Sequence, residues 1–192
     1  KRSFIFSRQR CKIRMQVQVE KWYTRLRKDY TLLWVGNKKI KRYQMKKPEP
    51  SEIEIESGET VAIDLETYDP QLKTHGSGAI IGKGKVCGIA LAFKNEKMYI
   101  PIRHLYKGQN LDPKMTWKRL NKILFQREDV KKVFHNAMYD VCWIRKESGL
   151  MPKGPIYDTM VAASVIDENR TGKKRYTLDS LSRDYLGETK YK

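Results

Sequence analysis

The sequence predicts an α/β domain built on a mixed sheet, preceded by a basic helical segment. Apolar runs at 60–66, 86–93 and 98–102 predict three adjacent strands, and helical periodicity then alternates with one further short strand. Pro48 and Pro50 separate this part from a segment rich in Lys and Arg. The 192 residues, 40% of them hydrophobic, suffice for one ordinary domain with an extension. We therefore predict an extension over residues 1–50 and a domain over residues 51–192.

The N-terminal extension holds most of the net charge of +18. Residues 1–47 contain 16 Lys and Arg against two acids, which gives +14, whereas the rest of the chain contributes +4. Apolar residues spaced by three and four from Val19 to Trp34 predict a helix with an apolar stripe and a basic face. The block of positive charge favours phosphate backbones or an anionic membrane surface, and a solvated linker is the alternative. The helix itself could grip single-stranded nucleic acid or pack on the neighbouring domain. The side chains expected to bind nucleic acid are Arg25, Arg27, Lys28, Lys38 and Lys39.

Composition also restricts the cellular setting. The three cysteines, Cys11, Cys87 and Cys142, are far apart and include no CxxC pair, which excludes a disulfide framework and a cysteine zinc site. No stretch approaches the roughly 18 unbroken apolar residues of a membrane span. The first residue is Lys1, and no apolar signal segment follows it. We therefore expect an intracellular, cytoplasmic protein that does not interact with a membrane.

The elements of the domain follow from local patterns. Glu52, Glu54 and Glu56 alternate with Ile53 and Ile55, which predicts a strand-like lead-in with a solvated acidic face. The run 60–66 predicts a strand, and the Gly-rich and Lys-rich stretch 71–84 predicts a loop. The remaining elements are a hairpin of strands 86–93 and 98–102, a strand at 132–135, and helices at 115–125, 138–146, 158–166 and 177–186.

The first group of candidate catalytic residues lies on the strand VAIDLETYD, residues 61–69. Side chains alternate along a strand, so Asp64 and Glu66 point to one face and Leu65 to the other. Two neighbouring carboxylates could share a pair of divalent cations, and oxygen ligands favour Mg²⁺ or Mn²⁺. An edge strand with an acidic face in water is the alternative that this motif alone leaves open.

The second group lies in KVFHNAMYDVCWI, residues 132–144, where a short strand leads into a helix. Asn136 is placed to cap that helix, and Tyr139 and Asp140 follow one turn later. An Asp in a first helical turn also favours the helix dipole, so a structural role is open for Asp140. A third carboxylate at such a junction is nevertheless what a two-metal site needs from a second element.

The order of these motifs resembles the DEDD 3′–5′ exonucleases, in which VAIDLET and HNAMYD correspond to the first two motifs. Four further segments are similar to the proofreading domain of family A DNA polymerases, the bacterial polymerase I-like group that includes phage enzymes. They are KVCGIALAF, MYIPIRH, IYDTMVAASVID and YTLDSLSRDYLG. The resemblance covers about residues 58–190. It implies a ribonuclease H-like fold, a mixed five-stranded sheet flanked by helices, in a 3′–5′ proofreading exonuclease.

The resemblance also implies roles for individual residues. Asp64 would bridge two Mg²⁺ or Mn²⁺ ions, Glu66 would bind the ion that holds the attacking water, and Asp140 would bind the second ion. Asn136 and Tyr139 would contact the terminal nucleotide at the single-stranded 3′ end of DNA. A polymerase domain would follow C-terminal to this chain, in the cytoplasm or, for a phage protein, in its host cell.

The resemblance extends to further positions and stops before the end of the family's pattern. Thr67 and Leu65 would lie along the substrate groove, and Asp158 is expected to cap the helix that follows it. His135 occupies the position where the polymerase I family commonly has Gln, so its role is open. The family's third motif, Tyr-x-x-x-Asp or His-x-x-x-Asp, is absent after Asp140. We therefore expect a domain truncated before that motif, with weak activity or none by itself.

Two other functions fit the same sequence. One is an RNA-trimming exonuclease of the RNase D type, which shares the motif order. The other is a nucleic-acid-binding module without catalysis, in which the fold and the basic extension persist. The presence of Asp64, Glu66 and Asp140 disfavours the module.

Overall fold

The computed structural model describes residues 52–94, 96–104, 110–172 and 175–187. The described chain divides after Asp158 into two compact units. The first unit holds the sheet and its flanking helices, and the second, from Thr159 onward, holds two helices. The predicted N-terminal helix and its basic residues Arg25, Arg27, Lys28, Lys38 and Lys39 lie outside the described residues.

The first unit is organised around a five-stranded mixed sheet in the order β3-β2-β1-β4-β5. Strands β1, β2 and β3 form an antiparallel meander, and β4 and β5 extend the sheet in parallel from β1. The strands are β1 (Thr60–Tyr68), β2 (Lys85–Phe93), β3 (Glu96–Pro101), β4 (Lys131–Phe134) and β5 (Ile156–Asp158). The predicted mixed α/β class is confirmed, as is the ribonuclease H-like arrangement of a five-stranded sheet.

Helices connect and flank these strands, with ends set by local sequence. The helices are α1 (Leu72–His75), α2 (Gly78–Ile81), α3 (Pro113–Leu120), α4 (Ala137–Ser148), α5 (Thr159–Ile166) and α6 (Leu178–Leu186), and a π-helical turn (Asn121–Phe125) continues α3. Asp112 caps α3 by accepting from the Met115 N–H at 2.7 Å, with Pro113 next to the cap. Gly149 ends α4 with a left-handed φ of 76°, a conformation that glycine adopts without strain.

One large apolar core lies between the sheet and its helices. Trp143 and Ile144 of α4 are fully buried, as are Leu120 and Leu124 beside them in the α3 region. The sheet contributes Ile63, Leu65, Ile89, Leu91 and Ile100, all on one face because they occupy alternate or directly paired positions. This packing holds α4 against β2, β4 and β5, and so determines where the start of α4 lies.

Several predicted elements require correction. The lead-in around Ile53 and Ile55 is irregular chain, although both isoleucines are buried and the three glutamates are exposed. The stretch 71–84 contains α1 and α2, and the predicted helix 158–166 begins only after strand β5. A three-residue strand has too little pattern to be recognised, because its identity comes from pairing with β4.

Across the residues that the structure describes, the helices are all too short or too polar to cross a bilayer.

Candidate active site

Strand β1 presents the two acids of its motif on one face of the sheet. Asp64 lies opposite Ala90 of β2, and Glu66 lies opposite Gly88. Between them, the side chain of Leu65 is 6% exposed and packs in the core on the other face. The predicted alternation of acidic and apolar side chains is therefore confirmed.

Asp140 reaches the same strand from the start of α4. Its Oδ1 accepts a hydrogen bond of 3.2 Å from the backbone N–H of Leu65, 75 residues away in the sequence. β4 pairs with β1 only at Thr60, Val61 and Ala62, so Leu65 lies beyond the paired part of that edge. The Asp140 carboxylate thus satisfies a backbone donor of β1 at the point where the neighbouring strand has ended.

The turn before α4 aims Asp140 at β1. Asn136 has φ 65° and ψ 55°, a left-handed conformation in which asparagine is enriched among non-glycine residues. Its predicted side-chain cap is wrong, since that side chain accepts no capping hydrogen bond from the first described N–H groups of α4. Instead, the Asp158 carboxylate accepts from the N–H groups of Asn136 and Ala137 at 3.0 and 2.8 Å. Asp158 at the end of β5 therefore anchors the first turn of α4, a role that no local sequence pattern indicated.

Asp64, which is half-buried, and Asp140, which is buried, both have raised pKa values. Burial, followed by the charge of Glu66, raises the pKa of Asp64 from 3.8 to about 7. Burial, followed by the charge of Asp64, raises the pKa of Asp140 to about 8, although the Leu65 N–H opposes this shift. Asp64 is thus the shared member of two repulsive pairs, with Glu66 on its own strand and with Asp140 on α4.

The chemistry of this cluster suits a divalent cation. Buried like charges are costly unless a cation or a proton compensates them, and carboxylates are hard oxygen ligands. Among the described residues, however, no three His, Cys, Asp or Glu side chains already surround a common point that could hold a metal ion. The acids interact only in pairs that share Asp64. The suitability of these residues for a divalent cation is therefore argued from their oxygen ligands and negative charge. A site formed by all three acids stays a prediction.

A second group of polar residues lies next to the acids. The Tyr139 hydroxyl is 2.7 Å from the Thr67 hydroxyl and donates to the Asp69 carboxylate at 3.1 Å. Asp69 also accepts from the N–H of Gly78 at 2.9 Å, which ties the start of α2 to this group. The Tyr139 ring packs edge-on against Trp143. Tyr139 is thus fixed in orientation, and Asp69 is a positioning residue that the sequence signalled only as an acid directly after a strand.

The predicted substrate residues differ in their surroundings. Thr67 and Tyr139 lie together beside the acids, and Asn136 is exposed at the turn before α4. The buried side chain of Leu65 is at odds with a place along an open groove. What Leu65 supplies in this structure is its backbone N–H, which holds Asp140.

Comparisons with known proteins bear on the family and the fold. A family model described as 3′–5′ exonuclease matches residues 46–192. No curated protein sequence matches the chain. The fold is similar to that of Brucella melitensis NrnC bound to pGG, with a TM-score of 0.50 and 24% identity over 69% of this chain and 55% of that one. It is also similar to Trypanosoma brucei RNase D in a GMP complex, with a TM-score of 0.52 and 18% identity over 68% of this chain and 36% of that one.

A structure of Brucella melitensis NrnC with bound Mg²⁺ also matches, with a TM-score of 0.48 and 21% identity over 68% of this chain and 54% of that one. The chain therefore spans about half or less of the length of these solved chains. At identities this low, similarity to the solved structures shows only that the fold is shared. Membership of the family is shown by the sequence match over residues 46–192.

Proposed function

This chain belongs to the 3′–5′ exonuclease family, and on that premise we propose that it removes nucleotides from the 3′ end of a nucleic acid by metal-dependent hydrolysis. The observation that carries the proposal is the approach of Asp140 to β1, where its Oδ1 meets the N–H of Leu65 at 3.2 Å beside Asp64. Asp140, far from Asp64 and Glu66 in the sequence, is brought to the strand that carries both of them. Their mutual repulsion in the absence of a cation supports a site made for one.

Each side chain has a distinct part in the proposed reaction. Asp64, Glu66 and Asp140 would hold two Mg²⁺ or Mn²⁺ ions, with Asp64 common to both. Divalent ions bound there would neutralise phosphate oxygens, activate the attacking water and stabilise the leaving 3′ oxygen. Tyr139, held by Thr67 and Asp69, would present its ring to the terminal nucleotide, while Asn136 would contact it from the turn before α4.

The test is release of nucleotides from 5′-labelled single strands with and without Mg²⁺ or Mn²⁺, with Asp64→Asn and Asp140→Asn as variants. Removing one contact to transition-state charge typically costs about 10²–10³-fold in rate, and we expect at least that for each variant. Binding of Mn²⁺, measured by calorimetry, should weaken in parallel.

Asp112→Asn is the matched control for these variants. It makes the same chemical change at a helix cap where Asn also caps well, so rate and Mn²⁺ affinity should stay at wild-type values. Equal rates for Asp64→Asn and Asp112→Asn would refute the proposal, and so would hydrolysis that persists in a chelator.

The finer proposal is proofreading of DNA within a polymerase whose other domain follows this chain. The segments KVCGIALAF and IYDTMVAASVID, with their likeness to the polymerase I family, support it. An RNA-trimming role is the second candidate, favoured by the fold of the RNase D structure that contains GMP. DNA and RNA strands of one sequence without thymine or uracil distinguish the two, because only the 2′-hydroxyl then differs between them. Faster trimming of RNA would overturn the proofreading proposal and leave the nuclease proposal intact.

The basic extension would serve the same substrate. Arg25, Arg27, Lys28, Lys38 and Lys39 would contact phosphates, so removal of residues 1–47 should weaken DNA binding most at low salt. The measurement is the slope of log affinity against log salt for the full and shortened chains. An unchanged slope would show that the extension does not contact DNA.

A further inference from the structure

The ring of Tyr99 crosses the sheet toward the acidic strand. Gly88 makes this crossing possible, because a Cβ at that position would lie 1.8 Å from the Tyr99 hydroxyl and 2.2 Å from its Cζ. The hydroxyl therefore occupies the place where a side chain of residue 88 would begin. Tyr99 is 6% exposed, so its ring is part of the buried structure.

Strand register places this hydroxyl on the face of the acids. Asp64 lies opposite Ala90, and Ala90 lies opposite Tyr99, so all three share one face of the antiparallel sheet. Glu66 and Gly88 are directly opposite each other on the same face. Directly opposite Cβ positions are about 5 Å apart. A hydroxyl at the Cβ position of Gly88 is thus within reach of the Glu66 carboxylate.

A neighbouring loop fixes the other side of the hydroxyl. His104 Nε2 lies 2.6 Å from the Tyr99 oxygen. The backbone of His104 is itself held by Asn110, which accepts from its N–H at 2.7 Å and donates to its carbonyl at 2.8 Å. The imidazole can therefore keep the Tyr99 hydroxyl in one orientation, and a phenol hydroxyl, which both donates and accepts, can bond a second polar group at the same time.

We propose that the Tyr99 hydroxyl, held by His104, hydrogen-bonds to the Glu66 carboxylate and orients it as a metal ligand. Partners of this kind commonly hold ligating carboxylates in position, and their loss costs about 10–100-fold in metal affinity. Tyr99 and His104 are positioning residues in this arrangement, and Gly88 is required as the space for the ring. The metal part of this inference rests on the proposed function, whereas the hydrogen bond does not.

The first arm of the test uses the metal-free protein. The ¹³Cζ resonance of Tyr99, identified by its loss in Tyr99→Phe, is measured in Glu66→Gln and in the control Glu54→Gln. Glu54 is exposed in the irregular lead-in, so its substitution should leave the resonance unmoved. Glu66→Gln should shift the resonance, because it replaces a charged acceptor with a neutral amide. A resonance that responds to neither substitution overturns the proposal.

The second arm measures Mn²⁺ affinity by calorimetry for Tyr99→Phe and for the control Tyr157→Phe. Tyr157 lies on β5, at the opposite edge of the sheet. We expect the dissociation constant to rise about tenfold for Tyr99→Phe and to stay unchanged for Tyr157→Phe. An unchanged affinity in Tyr99→Phe overturns the positioning role.

The two arms separate the inference from the proposed function. If the Tyr99 resonance responds to Glu66→Gln but the wild-type chain binds no Mn²⁺, the hydrogen bond stands and the metal role of both Glu66 and Tyr99 is refuted. If the wild-type chain binds Mn²⁺ and loses it in Asp64→Asn, while Tyr99→Phe binds normally, the proposed function stands and this inference falls.

Discussion

Two buried charged regions of the first unit differ in how their charges are satisfied. The ammonium group of Lys132 on β4 is enclosed by three backbone carbonyls, those of Arg127, Val130 and Lys153, at 2.6, 2.9 and 2.6 Å. Asp64 on β1 lies close to the charge of Glu66, and Asp140 on α4 lies close to the charge of Asp64, so like charges repel in both pairs. Lys132 and Asp64 lie on the adjacent strands β4 and β1 of one sheet, so general burial does not explain the difference.

The contrast separates a structural charge from a functional one. Burial lowers the pKa of Lys132 to about 8, yet its protonated form at neutral pH has three N–H donors for three acceptors. The aspartates have a backbone donor at Leu65, but the neighbouring charges that raise their pKa values are other carboxylates. A buried charge that the chain itself satisfies stabilises the fold, whereas buried charges that repel one another indicate a ligand from outside.

The largest expected effect comes from removing the hydrogen bonds of the Lys132 ammonium group. Lys132→Met keeps an unbranched apolar chain but leaves three carbonyls without their donor. We expect the free energy of unfolding to fall by about 3 kcal/mol or more, since each hydrogen bond to a charged group contributes about 1.5–3 kcal/mol and orphaned buried groups cost more. The measurement is urea unfolding, with the midpoint and slope both fitted.

Lys131→Met is the control for this change, because Lys131 precedes Lys132 on β4 and is exposed. Its substitution should change stability by no more than about 0.5 kcal/mol. Equal losses in the two variants would show that the three carbonyls around Lys132 contribute no special stability. Lys132 would then not be an example of a buried charge that stabilises the fold.

The next effect is a pH dependence that belongs to the acids. The folded pKa values of about 7 for Asp64 and about 8 for Asp140 lie above the ordinary 3.8, so protonation favours the folded state. The stability that the two aspartates contribute to metal-free protein should therefore be fully present below about pH 4 and be lost progressively as the pH rises toward 8. The two carboxyl groups titrate as a coupled pair across this window.

The double variant Asp64→Asn/Asp140→Asn isolates this effect. Lys132 stays protonated in both states below pH 7, and the lowered pKa of His104 acts in the opposite direction in wild type and variant alike. The difference between the two unfolding curves should thus shrink to nothing near pH 4 and grow with pH. A difference that does not depend on pH would show that the aspartates are not strained by burial and repulsion.

The third effect is removal of that strain by a cation. At pH 7.5, Mn²⁺ at one hundred times its dissociation constant should stabilise the wild type by about 2.7 kcal/mol. The double variant should gain nothing, while Lys132→Met should gain as much as the wild type because its acids are intact. Thermal unfolding with and without Mn²⁺ measures all three proteins, and stabilisation of the double variant would place the cation elsewhere.

How much of the structure could be predicted from the sequence differs between the two regions. The strand period of two put Asp64 and Glu66 on one face, and the strand-to-helix pattern placed Asp140 at the start of α4, so the acids were predictable from local spacing. The environment of Lys132 was not, because its acceptors are backbone carbonyls that every residue possesses. Only the folded chain brings Lys153 and Arg127 to the same ammonium group.

The same reasoning explains the errors around α4. An Asn before a helix predicts a side-chain cap from composition alone, but the left-handed backbone of Asn136 turns that side chain away from the role. The donor groups are taken by Asp158, whose approach depends on the pairing of β5 with β4. At the start of α4, a tertiary contact from Asp158 thus replaces the side-chain cap that the local sequence predicts. In the lead-in, Ile53 and Ile55 are likewise buried although the chain there is not a strand.

The smallest expected effect tests whether the hydroxyl pair beside the acids is structural or functional. Thr67→Val preserves shape but removes the partner of the Tyr139 hydroxyl, so stability should fall by about 1 kcal/mol. Thr74→Val, which removes an exposed hydroxyl that donates to the Gln71 carbonyl, should cost less than about 0.5 kcal/mol. Because Thr67 fixes the orientation of Tyr139 without holding a metal, Thr67→Val should raise KM for a single-stranded substrate and leave Mn²⁺ affinity at the wild-type value. Loss of Mn²⁺ affinity in Thr67→Val would instead show that Thr67 belongs to the metal site. The group of residues that depends on a cation would then extend from Glu66 to Thr67 on β1.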